Sequence, residues 1–355
     1  MLPNRGRILV FITPNKMAKE EAKVVIVTGA NSGIGLSFAD RLLTYDPSIV
    51  LCLACRNPSR ADKAKKTLLT THPSARIDLV RLDTSDIKGI FETAKKIKRK
   101  YSSIDFLYLN AGIMPVTHLN WKHMLKSILT PLQLIDMLTT GEGLLNLQDD
   151  ETGDGLKSIF CTNLFGHFVL IQELEDLLCQ SQARIVWTSS SNAHKMHFSL
   201  QDIQHKYGTQ GYSSSKYAMD ILNIALNEKY NERGVYSHLT SPGVVATNIT
   251  STFFPTWMWS IFYPIFLLIR VFAPRFVIEP SIGAESLLWV YREDRISIRP
   301  DRKYTSYSSA IGNSYIVPEE VDYESKEPMI LYSQLDKLYK RFQDKYNTGR
   351  NTEEQ

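Results

Sequence analysis

The chain has 355 residues, a formal net charge of +4 and basic residues that are scattered rather than gathered with aromatics, which argues against nucleic acid as a partner. That length buries a core without covalent staples, and four irregularly placed cysteines fit a reducing compartment rather than a secreted disulfide framework. In chain order, Arg5 and Arg7 precede an apolar run, Ile8 to Ile12, too short for a signal-peptide core, so residues 1–21 read as an extension outside the fold. Strand-like Val24 to Thr28, helix-like Ile34 to Leu43 and strand-like Ile49 to Cys55 follow. Cys52 and Cys55 form a CxxC, but inside an apolar run with no second pair nearby they read as strand core rather than a redox or zinc site. Asp78 to Leu82, a helical stretch from Ile87 to Ile97 and Phe106 to Asn110 continue the alternation. Residues 114–156 interrupt it with apolar positions at helical spacing. A helix from Ile159 to Leu178, a strand from Arg184 to Ser189, a helix from Ser214 to Tyr230 and a strand from Tyr236 to Thr240 resume it. This alternation predicts an α/β fold, a doubly wound parallel sheet of Rossmann type over residues 22–250. Residues 251–290 form an apolar segment. Residues 291–355 read as a tail with a terminal helix marked by Leu331, Leu335, Leu338 and Phe342.

Directly after the first strand stands Thr28-Gly29-Ala30-Asn31-Ser32-Gly33-Ile34-Gly35, and a helical pattern follows it. Glycines let the backbone turn sharply and approach a pyrophosphate, while the free N–H groups at the next helix start attract the anion. Strand before and helix after are the context this fingerprint requires. At the end of the second strand an acidic residue would hold the adenosine ribose, but Cys55-Arg56 stands there, and a guanidinium pairs with a 2'-phosphate. The expected cofactor is therefore NADP(H), with NADPH as the reducing form.

Tyr212-Ser213-Ser214-Ser215-Lys216 places a phenol and an ammonium four positions apart, on one face of a helix. A nearby ammonium favours phenolate, so the pair is expected to lower the Tyr212 pKa and let it exchange a proton with an alcohol or carbonyl oxygen. His194 and His197 read as exposed loop residues rather than metal ligands, and no metal is expected.

With these motifs in this order, the chain resembles the short-chain dehydrogenase/reductase family over roughly residues 23–250. The matching elements are the turn from Thr28 to Gly35, Asp83 after the third strand, Asn110-Ala111-Gly112 after the fourth, Asn163, the serine strand end, Tyr212 with Lys216, and Pro242-Gly243 through Thr247. The resemblance implies hydride transfer between a nicotinamide cofactor and a carbonyl or alcohol carbon. It further implies that Asp83 contacts adenine, Asn110 the ribose region, Thr247 the nicotinamide half and Lys216 the nicotinamide ribose, while Asn163 holds a water in a proton relay. The family's catalytic serine donates to the substrate oxygen. Ser190 holds the strand-end position, whereas Ser199 has the usual spacing to the tyrosine; Ser190 is favoured, with Ser199 kept as competitor or substrate-facing residue.

Within the family, Leu53-Ala54-Cys55-Arg56-Asn57, the stretch from Tyr108 to Pro115, the stretch from Asn163 to Phe168 and the stretch from Ile185 to Ser190 resemble the 3-ketosteroid reductase branch. That implies NADPH-dependent reduction of a sterol 3-ketone to a 3-beta-alcohol, activity on the 17-ketone of estrone, and residence at the endoplasmic reticulum membrane with the catalytic domain on a reducing, cytosolic face. Implied partners are the sterol or steroid ketone, membrane lipid, and other sterol-synthesis enzymes or a second copy of the chain. Reduction of a retinoid or long-chain ketone, and a non-catalytic cofactor-binding scaffold, are the competing readings. Phe253 to Ile269 carries no charge, and Trp257, Trp259 and Tyr263 are interface-type aromatics. Pro255 and Pro264 oppose an unbroken helix, so a substrate lid that dips into a membrane is expected as well as a span.

Overall fold

The computed structural model describes residues 22–119, 145–245, 276–277, 279–309 and 312–348. The expected N-terminal extension, the middle of the 114–156 insertion, Thr247 and the apolar segment through residue 275 lie outside the described residues.

The first half of the sheet is built by β1 (Val24–Thr28), α1 (Gly33–Tyr45), β2 (Val50–Cys55), α2 (Pro58–Thr71), β3 (Arg76–Arg81), α3 (Ile87–Lys100) and β4 (Phe106–Leu109). A small antiparallel pair, β5 (Val116–Leu119) with β6 (Leu145–Leu147), follows. Next come α4 (Ser158–Phe160), a π-helical turn at Cys161–Phe165, α5 (Gly166–Gln180), β7 (Arg184–Thr188), α6 (Gly211–Tyr230) and β8 (Tyr236–Ser241). The last elements are β9 (Val244–Val245) paired with β10 (Phe276–Val277), α7 (Pro280–Gly283), α8 (Glu285–Arg292), β11 (Arg302–Ser308), β12 (Ser314–Glu320) and α9 (Glu327–Thr348).

The main sheet has the order β12-β11-β8-β7-β4-β1-β2-β3, parallel throughout except for the antiparallel β11–β12 pair. Central strands covered on both faces cannot alternate apolar with polar, which is why β1 reads VVIVT and β4 reads FLYL. One face packs α3, α5, α6 and α9, the other α1, α2 and α8. Cys52 and Cys55 are buried in β2, and burial pushes the Cys52 thiol up to about 12.

Two elements depart from the sequence reading. Helix α2 is absent from the sequence pattern above, although Asn57 caps it by accepting from the Arg60 N–H and Pro58 supplies its first turn. Residues 302–320, set apart as tail, are strands of the main sheet. Their polar composition hid them, and Pro318 is tolerated because β12 is an edge strand.

From β1 the chain winds outward through β2 and β3, then returns to place β4 on the other side of β1. The crevice beyond the carboxyl ends of β1 and β4 is therefore the topological switch point, where open α/β sheets bind ligands. Gly29 follows β1 and Asn110 follows β4, so both motifs meet there.

Candidate active site

At the switch point only glycine fits the turn. Gly29 has φ +67°, and a Cβ on it would stand 2.9 Å from the Ala111 Cα. A Cβ on Gly35 would stand 2.5 Å from the Asn110 side-chain nitrogen. The turn and the Asn110-Ala111-Gly112 segment are thus pressed together without room for a methyl group. Beneath them the Cys55 thiol bonds the backbone of Ala30 and Asn31, and burial pushes it up to about 11.

Ser32 caps α1 with an extended backbone and no side-chain cap bond, and no acidic residue occupies the first helical turn. Asn31, Ser32, Gly33 and Ile34 are partly exposed, so the helix start offers N–H groups without a competing carboxylate. That donor set fits a pyrophosphate. Arg56 is exposed directly after β2, where it suits a 2'-phosphate. Asp83, just past β3, accepts from the backbone and hydroxyl of Ser85.

A chain of buried hydrogen bonds ties this turn to Asn163. The Thr28 hydroxyl accepts the N–H groups of Asn110 and Ala111, each at 2.9 Å, which leaves its single proton for His167 Nε2 at 3.1 Å. His167 must then carry its own proton on Nδ1, which donates to the Asn163 carbonyl at 3.2 Å. Burial holds the imidazole down at about 4, so it stays neutral. Asn110 Nδ2 donates to the Thr28 carbonyl at 3.1 Å. The Asn163 side chain, in the π-helical turn, accepts from the Ile113 N–H at 2.8 Å and donates to the Ile113 carbonyl and the Ser215 hydroxyl, each at 3.1 Å.

Tyr212 and Lys216 come from the first two turns of α6. The Tyr212 hydroxyl faces Ser190, which lies just past the end of β7, and the Ser190 oxygen accepts from the Asn192 N–H at 3.1 Å. Ser199 is occupied elsewhere, bonding the Gln201 side chain at 2.8 Å and backbone at 3.2 Å. The strand-end serine, not the one with the usual spacing, therefore meets the tyrosine.

One expectation is reversed. Burial raises the Tyr212 phenol above its ordinary value, and the Ser190 bond offsets this only in part. The Lys216 ammonium donates to the Thr188 carbonyl at 2.7 Å and stands 5.7 Å from the centre of the Tyr212 ring, and burial outweighs it. Burial lowers Lys216 itself to about 8. His194 and His197 are half-buried and edge-stacked, and no group of three metal-ligating side chains occurs among the described residues.

Sequence reasoning did not single out His167, Asp220 or Lys303 as site residues. A polar residue at 220, one turn beyond Lys216 on a buried helix face, was a usable signal; Lys303 had none, since only the sheet brings it near.

A doubly wound sheet with a glycine turn at its switch point and a serine, tyrosine, lysine and asparagine gathered beside it defines a dinucleotide-dependent oxidoreductase. The chain belongs to the short chain dehydrogenase family, whose model matches residues 23–128 and 117–256. It is 45% identical to the 3-keto-steroid reductase/17-beta-hydroxysteroid dehydrogenase 7 of Rattus norvegicus, covering 90% of this chain and 96% of that one. Identity to the Homo sapiens protein of that name is 42%, over 90% of this chain and 94% of the relative. The 3-keto-steroid reductase of Schizosaccharomyces pombe is 31% identical over 75% of this chain and 81% of its own. Among solved structures, the NADPH-bound carbonyl reductase from chicken fatty liver shares the fold, with TM-score 0.52 and 21% identity over 83% of this chain and 98% of that one.

Proposed function

We propose that the chain reduces a sterol 3-ketone to the 3-beta-alcohol during sterol synthesis, with NADPH, and that the 17-ketone of estrone is a second substrate. The substrate class rests on the similarity to 3-keto-steroid reductases along nine-tenths of the chain. The observation that carries the reaction type is the placement of Ser190 beside the Tyr212 hydroxyl. When bound, NADPH supplies the hydride. Gly29, Asn31, Ser32, Gly33, Ile34 and Gly35 would hold its pyrophosphate and Arg56 its 2'-phosphate. Asp83 would contact the adenine, Asn110 the ribose region and Thr247 the nicotinamide half.

Tyr212 keeps its proton at neutral pH because burial raises its pKa. It is thus poised to give that proton to the ketone oxygen, as reduction requires. Ser190 donates a second hydrogen bond to the same oxygen, stabilising the charge that builds there. Lys216 places a positive charge near the tyrosine and would bind the nicotinamide ribose, while Asn163 would order the water through which the proton is replaced. Ser199 lies farther along the same loop, where its hydroxyl is engaged by Gln201.

A sterol substrate resides in lipid, and the uncharged stretch from Phe253 to Ile269 supports an association with the cytosolic face of the endoplasmic reticulum membrane. No helix among the described residues is long and apolar enough to cross a membrane. The test is a purified assay of a 3-ketosterol, estrone and retinal with NADPH and NADH side by side. Turnover of the 3-ketosterol with NADPH is expected to exceed that with NADH by roughly 10- to 100-fold, the weight of a charge-assisted pair. Turnover confined to retinal would overturn the substrate, and equal use of NADH the role of Arg56.

A further inference from the structure

Lys303 on β11 is 7% exposed, and its ammonium has two partners, Asp220 Oδ2 at 2.7 Å and the backbone carbonyl of Ser190 at 3.0 Å. Asp220, 2% exposed, accepts on its other oxygen from the Ser189 hydroxyl. On α6, Asp220 lies four positions beyond Lys216 and eight beyond Tyr212, so all three share one helix face. We propose that Lys303 and Asp220 are a positioning pair for the serine, clamping Ser189 and Ser190 beyond β7 so that the Ser190 hydroxyl meets Tyr212, and balancing charge around Lys216. The inference rests on the roles given above to Ser190 and Tyr212. Lys303 stands beyond residue 256, where the match to the family model ends.

Attachment of β11 to the sheet does not explain the pair. The strand is already held by backbone ladders to β8 and β12. Desolvating two charges offsets most of their attraction, so apolar side chains of similar volume would secure the strand as well. What apolar side chains cannot do is donate to the Ser190 carbonyl. That bond acts where precision matters, two residues past the strand end and on the residue whose hydroxyl would meet the substrate. A donor displaced there misdirects the hydroxyl it should fix, and such errors cost rate before they cost binding.

The pair also sets the electrostatics of Lys216. Facing it are Tyr212 and Asp220 from its own helix, Lys303 from β11 and neutral His167 from α5. Asp220 attracts, Lys303 repels and burial opposes the charge. The carboxylate thus lets two ammonium groups share one buried space. Removing Asp220 alone must lower Lys216, and removing Lys303 alone must raise it.

The test compares Lys303→Met, Asp220→Asn, the double variant and Tyr212→Phe in the full chain, with phenanthrenequinone as an activated dicarbonyl and a 3-ketosteroid as substrates. The double variant removes the donor to Ser190 without stranding a buried charge, so it decides the matter if either single variant fails to fold. Its kcat is expected to fall roughly 10- to 100-fold while the NADPH Kd, read by cofactor fluorescence, stays within about twofold. The high-pH limb of kcat/KM is expected to move down in Asp220→Asn and up in Lys303→Met. A double variant with unchanged kcat, or single variants whose limbs move together or not at all, would overturn the positioning role while Tyr212→Phe still abolishes turnover. Undiminished turnover by Tyr212→Phe would instead remove the reading of the site, and the clamp with it. An enzyme that reduces the quinone but no steroid loses its proposed substrate and keeps the clamp; one that reduces neither loses both.

Discussion

Lys216 meets two opposed demands, since its charge serves the reaction while its burial penalises that charge. With its folded value at about 8 against an ordinary 10.5, the unfolded chain binds more protons than the folded one between those limits. This group therefore costs stability below about pH 8, and stability recovers as pH rises toward 10.5. Two outcomes are expected: reduction by the free enzyme declines above about pH 8, read from kcat/KM profiles, and Lys216→Met loses turnover yet melts higher. The gain should be about 1–3 kcal/mol, less than the full shift because the Thr188 carbonyl loses its donor. The two serines separate at this scale too. Ser190→Ala is expected to lower kcat by roughly 10²- to 10³-fold, and Ser199→Ala to leave it within about twofold, in the same steady-state assay.

The glycine turn shows how an element is fixed by what it must touch. Its positive φ at Gly29 favours glycine, and a Cβ there would stand only 2.9 Å from the Ala111 Cα. Gly29→Ala is expected to strain the backbone by about 1–2 kcal/mol and to force the turn away from the segment after β4. NADPH affinity, measured by fluorescence titration, should fall at least roughly tenfold while far-ultraviolet circular dichroism is unchanged. The turn was legible in the sequence because its requirement is local. So were the central strands, whose burial on both faces demands unbroken apolar runs. Strand β11 was not, because RKYTSYS alternates nothing visible: its serines and threonine are buried beside other polar groups, with Ser306 bonded to the Gly283 carbonyl and to the Ser286 N–H.

At the scale of the whole molecule, the C-terminal helix completes the core. Leu331, Tyr332, Leu335, Tyr339 and Phe342 of α9 are buried, and their rings pack on Phe91, Phe165 and Phe168. Polar pins surround them, with Glu327 accepting from Tyr217 at 2.9 Å and Glu173 accepting from Tyr339 at 2.8 Å. At about 1.5–3 kcal/mol for each large apolar side chain, their burial is worth on the order of 10 kcal/mol, comparable to the net stability of a folded domain. A chain ending at residue 325 is therefore expected to be insoluble or to lose its cooperative melt in calorimetry. Retention of a wild-type melting temperature would show that the helix is dispensable.

The sequence by itself determined the class of fold, the glycine turn, the tyrosine–lysine face and the absence of an acid after β2, because each depends on spacing within one element or on a single residue's chemistry. Tertiary structure alone decided the rest. It set Ser190 beside Tyr212 and Ser199 against Gln201, because Ser190 directly follows β7 whereas Ser199 lies farther along the loop. Burial raised the phenol that the spacing to Lys216 alone predicts to be lowered. Lys303 reached the site from 113 residues beyond Ser190, by way of a strand whose place in the sheet no local pattern announced.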